Sequence, residues 1–89
     1  MRAKGTSRSE AQIFTHLKAH GDQWTTMQEI VKATGLNQKT AIYTLKRMSE
    51  AGILERRVIS PAYLYRINPN APVRDIIRLE SDSEALGLL

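Results

Sequence analysis

The four residues Thr34-Gly35-Leu36-Asn37 constrain this chain more than any other stretch. They separate two segments whose apolar residues recur at helical spacing, so one helix must stop and another start within a tight turn. Gly35 can take the positive φ that a sharp stop requires, and Asn37 can cap the helix that follows. Leu36 is then left to plug a core.

Other punctuation in the chain repeats this logic. Ser7 followed by Glu10 forms a capping box, predicting a first helix that runs to about His20 with Ala11, Ile13, Phe14 and Leu17 on its buried side and Gly21 as its stop. After it, residues 22–25 make a short extended segment whose Trp24 is expected to pack on the core. Thr26 with Glu29 is a second capping box, and Met27, Ile30, Val31 and Ala33 mark the inner face of a second helix. A third helix, capped by Asn37, carries Ala41, Leu45 and Met48 inward and ends at Gly52.

Beyond Gly52 the periodicity changes. Residues 53–58 and 63–67 are rich in β-branched and aromatic side chains, and Ile59-Ser60-Pro61-Ala62 between them supplies turn chemistry, which reads as a β-hairpin. Asn68-Pro69-Asn70-Ala71-Pro72 then breaks structure. A fourth helix can start after it with Val73, Ile76, Ile77 and Glu80 on one side, interrupted by Ser81-Asp82-Ser83-Glu84. The expected organisation is a basic arm over residues 1–8, one domain over 9–68, and a linker with a C-terminal helix or tail over 69–89.

Composition narrows the function classes. With 89 residues, 42 % of them hydrophobic, the chain can bury one modest core and has no room for a second domain. It has no cysteine, which excludes disulfides and thiolate metal sites and leans toward a cytoplasmic location. Its apolar runs are too short to span a bilayer, and its charged first nine residues lack the apolar stretch of a signal peptide. No membrane partner is expected. Through residue 72 there are eleven basic and five acidic residues, whereas residues 73–89 hold two basic and four acidic. The basic excess belongs to the main body and favours a polyanionic partner there.

Two short helices joined by a four-residue turn and followed by a hairpin is the order of a winged helix-turn-helix, whose second motif helix reads the major groove of DNA. The fold class expected is therefore α+β and mostly helical, with three helices, a two- or three-stranded wing, and room for a fourth helix. The run from Leu36 through Asn37-Gln38-Lys39-Thr40-Ala41-Ile42-Tyr43-Thr44-Leu45-Lys46-Arg47 to Met48-Ser49-Glu50-Ala51-Gly52-Ile53-Leu54-Glu55-Arg56 resembles the recognition-helix stretch of small bacterial winged-helix regulators, including the MarR and ArsR types. The resemblance extends over residues 9–67. It implies a transcriptional regulator that binds double-stranded DNA, a repressor in the first place. The chain departs from it at the wing tip, residues 59–62, which is short and carries no Lys or Arg.

With Ala41, Leu45 and Met48 inward, a rotation of about 100° per residue turns Lys39, Tyr43, Lys46 and Glu50 outward and leaves Ile42 and Arg47 on the flanks. Gln38, Lys39, Thr40 and Tyr43 are the candidates for base edges, and Lys46 and Arg47 for the phosphate backbone. Arg56 and Arg57 alternate across the first wing strand, so at least one points to phosphate or solvent. A solvated helical face is the plainer explanation of Lys39, Lys46 and Arg47, and packing against the hairpin that of Tyr43. Arg2, Lys4 and Arg8 can add affinity by counterion release or simply form a loose terminus.

Catalytic chemistry finds no foothold. No Gly-rich phosphate loop or activated nucleophile is present, so no enzyme and no cofactor are expected. His16 and His20 share the i, i+4 spacing of a metal pair but have no third ligand, and solvent-exposed histidines account for them better. Residues 73–89, apolar on one side, could pair two copies so that two helices read half-sites about 34 Å apart, or fold back on the same domain. A winged-helix module that docks protein, or a replication or partition factor, is the alternative reading.

Overall fold

The computed structural model describes residues 7–89, so the expectations for Arg2 and Lys4 lie outside the described residues. Its elements, in order, are α1 (Arg8–Ala19), β1 (Thr25–Thr26), α2 (Met27–Thr34), α3 (Gln38–Glu50), β2 (Leu54–Ile59), β3 (Ala62–Ile67) and α4 (Val73–Ala85). The fold is mostly helical α+β, four helices with a three-stranded antiparallel sheet in the order β1-β3-β2. Arg8 opens α1 rather than belonging to an arm.

The caps explain where the elements begin. Both capping boxes form: the Ser7 hydroxyl accepts from the Glu10 amide at 3.2 Å, and the Thr26 hydroxyl accepts from the Glu29 amide at 3.1 Å while Glu29 accepts from the Thr26 amide at 3.0 Å. The Thr26 amide, and after it the Thr26 hydroxyl at 3.1 Å, donate to the Glu29 carboxyl and hold it below the usual carboxylate range. Gly35 closes α2 at φ 72°, in the left-handed region. At the other end of α3, Gly52 has φ 80°, and the Ile53 amide reaches back to the Met48 carbonyl at 3.0 Å. That turn sends Ile53 and Leu54 straight into the core.

The core joins Ile13, Phe14 and Leu17 of α1, Ile30 of α2, Leu45 and Met48 of α3, Ile53, Leu54 and Tyr65 of the sheet, and Leu79 of α4. Burial pushes the Tyr65 phenol up, with the Arg56 charge pulling against it. Leu36 packs against this cluster as expected, but Ala33 does not: it is exposed, and Ile30 alone of α2 is fully buried. The hairpin turn is tighter than its turn chemistry suggests, since β2 and β3 pair down to Ile59 opposite Ala62 and leave only Ser60-Pro61 between them.

Trp24 does not enter the core. Its ring lies half-buried between two guanidinium groups, Arg57 at 4.7 Å and Arg66 at 4.4 Å, and Thr25 takes the buried place beside Tyr65. Arg66 is held there by Glu55 at 2.7 Å and by the Asp22 carbonyl at 3.2 Å.

Residues 81–84 do not interrupt α4. The helix runs unbroken because it docks on α1: Leu79 and Ser83, one turn apart, are fully buried, and the small Ser83 lets α4 approach the equally buried Ala11. Lys18 pairs with Glu80 at 2.6 Å across the same seam, and Arg78 reaches Glu10 at 3.7 Å. The packed side is thus Ile76, Leu79 and Ser83, whereas Val73 and Ile77, expected to share one side with Ile76 and Glu80, point out at 72 % and 61 % exposure. No helix among the described residues is long and apolar enough to cross a membrane.

Candidate nucleic-acid interface

Helix α3 is anchored on one side and open on the other. Ala41, Thr44, Leu45 and Met48 are buried, and the Thr44 hydroxyl meets the Ser9 hydroxyl at 3.2 Å, fixing α3 to α1. Thr44 was not legible as a buried position from apolar spacing alone, because its hydroxyl conceals its role. Asn37 caps the helix, its side-chain oxygen accepting from the Thr40 amide at 2.8 Å. The first turn carries no acidic residue, in contrast to Glu10, Glu29 and Asp75 in the first turns of α1, α2 and α4. The positive end of its dipole is therefore left unneutralised and has Lys39 beside it.

The sequence-selected residues fall into three groups. Gln38, Lys39, Tyr43 and Lys46 are exposed together along the outer side of α3, and Thr40 is half-buried at its edge. Neither Lys39 nor Lys46 makes an ion pair among the described residues. Tyr43, 62 % exposed, does not pack into the hairpin; the Arg47 guanidinium sits 5.7 Å from its ring. Arg47 is itself tied to the buried carboxylate of Glu10 at 3.5 Å. Glu10 thus serves α1 as a cap and receives Arg47 of α3 and Arg78 of α4, a convergence that its place in a capping box does not reveal.

The pleat separates the two wing arginines. Arg56 pairs with Tyr65, and Arg57 with Leu64. Side chains directly opposite share a sheet face, so Arg56 lies on the face of Leu54, Tyr63 and Tyr65, with its guanidinium 5.5 Å from the Tyr63 ring. That face looks toward α3: Lys46, Ser49, Glu50, Leu54 and Arg56 line one open cleft of about 380 Å³. Arg57 is carried to the opposite face, onto Trp24. Arg56 thus shares a cleft with Lys46 and Glu50 of outer α3, and Arg57 stands on the other side of the sheet.

His16 and His20 are half-buried rather than solvent-exposed, with ring centroids 4.4 Å apart and the His20 Nδ1 hydrogen-bonded to the His16 carbonyl at 3.0 Å. Burial, and secondarily the charge of His20, hold His16 below the ordinary imidazole range, while Glu29 pulls it the other way. No cluster of three or more His, Cys, Asp or Glu side chains able to hold a metal ion occurs among the described residues.

The MarR family model matches residues 4–62, well over half of the chain. Among solved structures, the fold is similar to that of BpsR of Bordetella bronchiseptica, a protein whose DNA binding is regulated by 6-hydroxynicotinic acid, at TM-score 0.69 and 17 % identity over 90 % of this chain and 58 % of that one. It is also similar to the ferric uptake regulator of Francisella tularensis, solved with iron, at TM-score 0.65 and 17 % identity over 81 % of this chain and 59 % of that one. A third is a fragment, residues 1–100, of a possible transcriptional regulatory protein of Mycobacterium bovis, at TM-score 0.64 and 24 % identity over 92 % and 81 %. The chain spans less than two thirds of the length of the first two. No curated protein matches its sequence.

Proposed function

The chain belongs to the MarR family of winged-helix transcriptional regulators, and from that premise we propose that it binds double-stranded DNA sequence-specifically, laying α3 in the major groove. The observation that carries this reading is the outer side of α3, where Lys39 and Lys46 stand without ion pairs beside an acid-free helix start. Lys39 at that start has no compensating acid, unlike the first turns of the other three helices, and the one outward acid of α3, Glu50, lies at the far end beside Lys46. Gln38, Lys39, Thr40 and Tyr43 face the base edges in this arrangement, and Lys46, Arg47 and Arg56 the phosphates.

The reading includes repression in the cytoplasm, by occupation of a duplex site that a polymerase must reach. The bare apolar side chains of Val73 and Ile77, one turn apart on α4, together with Leu86 and Leu89, support pairing of two copies through the C-terminal segment. The exposed Ile42 and Tyr43 are the feature that a protein-docking module would share.

Fluorescence anisotropy of a labelled duplex pool across a salt series, with size exclusion on the same sample, separates these readings. Submicromolar binding that weakens with a log–log slope of about 3 to 4 per protomer is expected if Lys39, Lys46, Arg47 and Arg56 each neutralise one phosphate. Failure of the folded protein to bind at low salt would overturn this reading in favour of a protein-docking module.

A further inference from the structure

Ile42 is the odd residue of α3. Gln38 stands one turn before it, Lys46 one turn after it and Lys39 three residues back, so its exposed neighbours on the helix are polar or cationic, while the apolar Leu45 three residues on is buried. Its side chain is 46 % exposed, and it belongs neither to the core nor to the half-buried apolar residues packed against that core. Helix formation does not favour it either, because a β-branched side chain at a solvent-facing position has lower propensity than the Lys and Gln around it. Tyr43, the other exposed apolar residue of α3, has a hydroxyl and the Arg47 guanidinium as partners. Ile42 has neither.

An apolar group set among hydrogen-bonding and cationic side chains matches the chemistry of one surface in particular. In the major groove every base pair offers donors and acceptors, and a single apolar group recurs there, the C5 methyl of thymine. Resting on the DNA reading above, we infer that Ile42 is a specificity-determining residue that covers the C5 methyl of a thymine within the site read by Gln38 and Lys39. Cytosine at that position lacks the methyl, and its N4 donor fares no better against Ile42 than the O4 acceptor of thymine, since the side chain can neither donate nor accept. Discrimination therefore comes from burial of the thymine methyl.

Uracil isolates the methyl, since it keeps the O4 acceptor and the pairing edge of thymine and lacks only that group. Sites are first selected from a random duplex pool with the wild-type protein. Each thymine of the selected site is then replaced singly by deoxyuridine, and affinities are measured by anisotropy for the wild type and for Ile42→Ala. One thymine per half-site is expected at which uracil weakens the wild type about three- to fivefold, the worth of one buried methyl, and leaves Ile42→Ala unaffected. The inference is overturned if no thymine shows that loss with the wild type, or if Ile42→Ala loses as much as the wild type at every position. The wild-type arm needs no variant, and Ile42→Ala, at an exposed helix position, is expected to fold as the wild type does. Failure to select any duplex at all strikes at the DNA reading itself, and takes this inference with it.

Discussion

Helices α2 and α3 are two arms of one motif, yet they begin in opposite ways. The first opens on Thr26 and Glu29 satisfying each other's backbone amides, which puts a carboxylate at the positive end of the helix dipole. The second opens on Asn37 alone, with Gln38, Lys39 and Thr40 where an acid would help. Their inner sides differ in the reverse sense: α2 buries only Ile30 completely, whereas α3 buries Ala41, Thr44, Leu45 and Met48. A helix held so firmly by its inner side can do without a carboxylate in its first turn. Its outer turn is free to carry residues that suit a partner.

The largest effect that would break this division is on binding without folding. Lys39→Ala combined with Tyr43→Ala should lower specific DNA affinity by tenfold or more, in the range of about 1–3 kcal/mol for removal of good groove interactions. The thermal midpoint should stay nearly unchanged, because both side chains are exposed. Unfolding of the double variant, or unaltered binding, would sink the residue assignment.

Removing the caps sharpens the contrast at a smaller scale. Thr26→Ala and Asn37→Ala should each cost about 1 kcal/mol in urea denaturation, as lost helix N-caps do. They should part company in anisotropy: Asn37→Ala frays the turn that carries Lys39 and Thr40 and weakens DNA binding, while Thr26→Ala leaves affinity near the wild-type value. Equal losses of affinity would mean that α2 shares the interface on the same footing as α3.

What the sequence discloses of this molecule follows the range of the interactions concerned. Caps and stops act within four residues, so Ser7, Thr26, Asn37, Gly35 and Gly52 are legible without a structure, and so are the inner Ala41, Leu45 and Met48 of α3, though not Thr44. The Ser81-Asp82-Ser83-Glu84 stretch misleads because its weak helix formers read as a break, while docking of Leu79 and Ser83 on α1 outweighs local propensity. Trp24 misleads for the same reason, its partners Arg57 and Arg66 arriving from the hairpin. Of the candidate interface, alternation announces that Arg56 and Arg57 part ways. Only the register of β2 on β3 decides that Arg56 is the one beside α3.

The smallest effect puts the two halves of the comparison in direct opposition. Lys39→Glu would give α3 the acidic first turn that α1, α2 and α4 already have, relieving a cation at the positive end of the dipole and adding a favourable charge. Stability should rise by roughly 0.3–1 kcal/mol at low ionic strength, and the gain should shrink as salt screens it. DNA affinity should move the other way, since a carboxylate would now face the duplex, and the salt slope should fall by about one unit because one phosphate is no longer neutralised. Paired urea titrations and salt-dependent anisotropy on the same preparations read both signs. A variant that is less stable than the wild type would show that Lys39 serves the helix itself, through an interaction other than DNA binding, and the free start of α3 would lose its meaning as a binding feature.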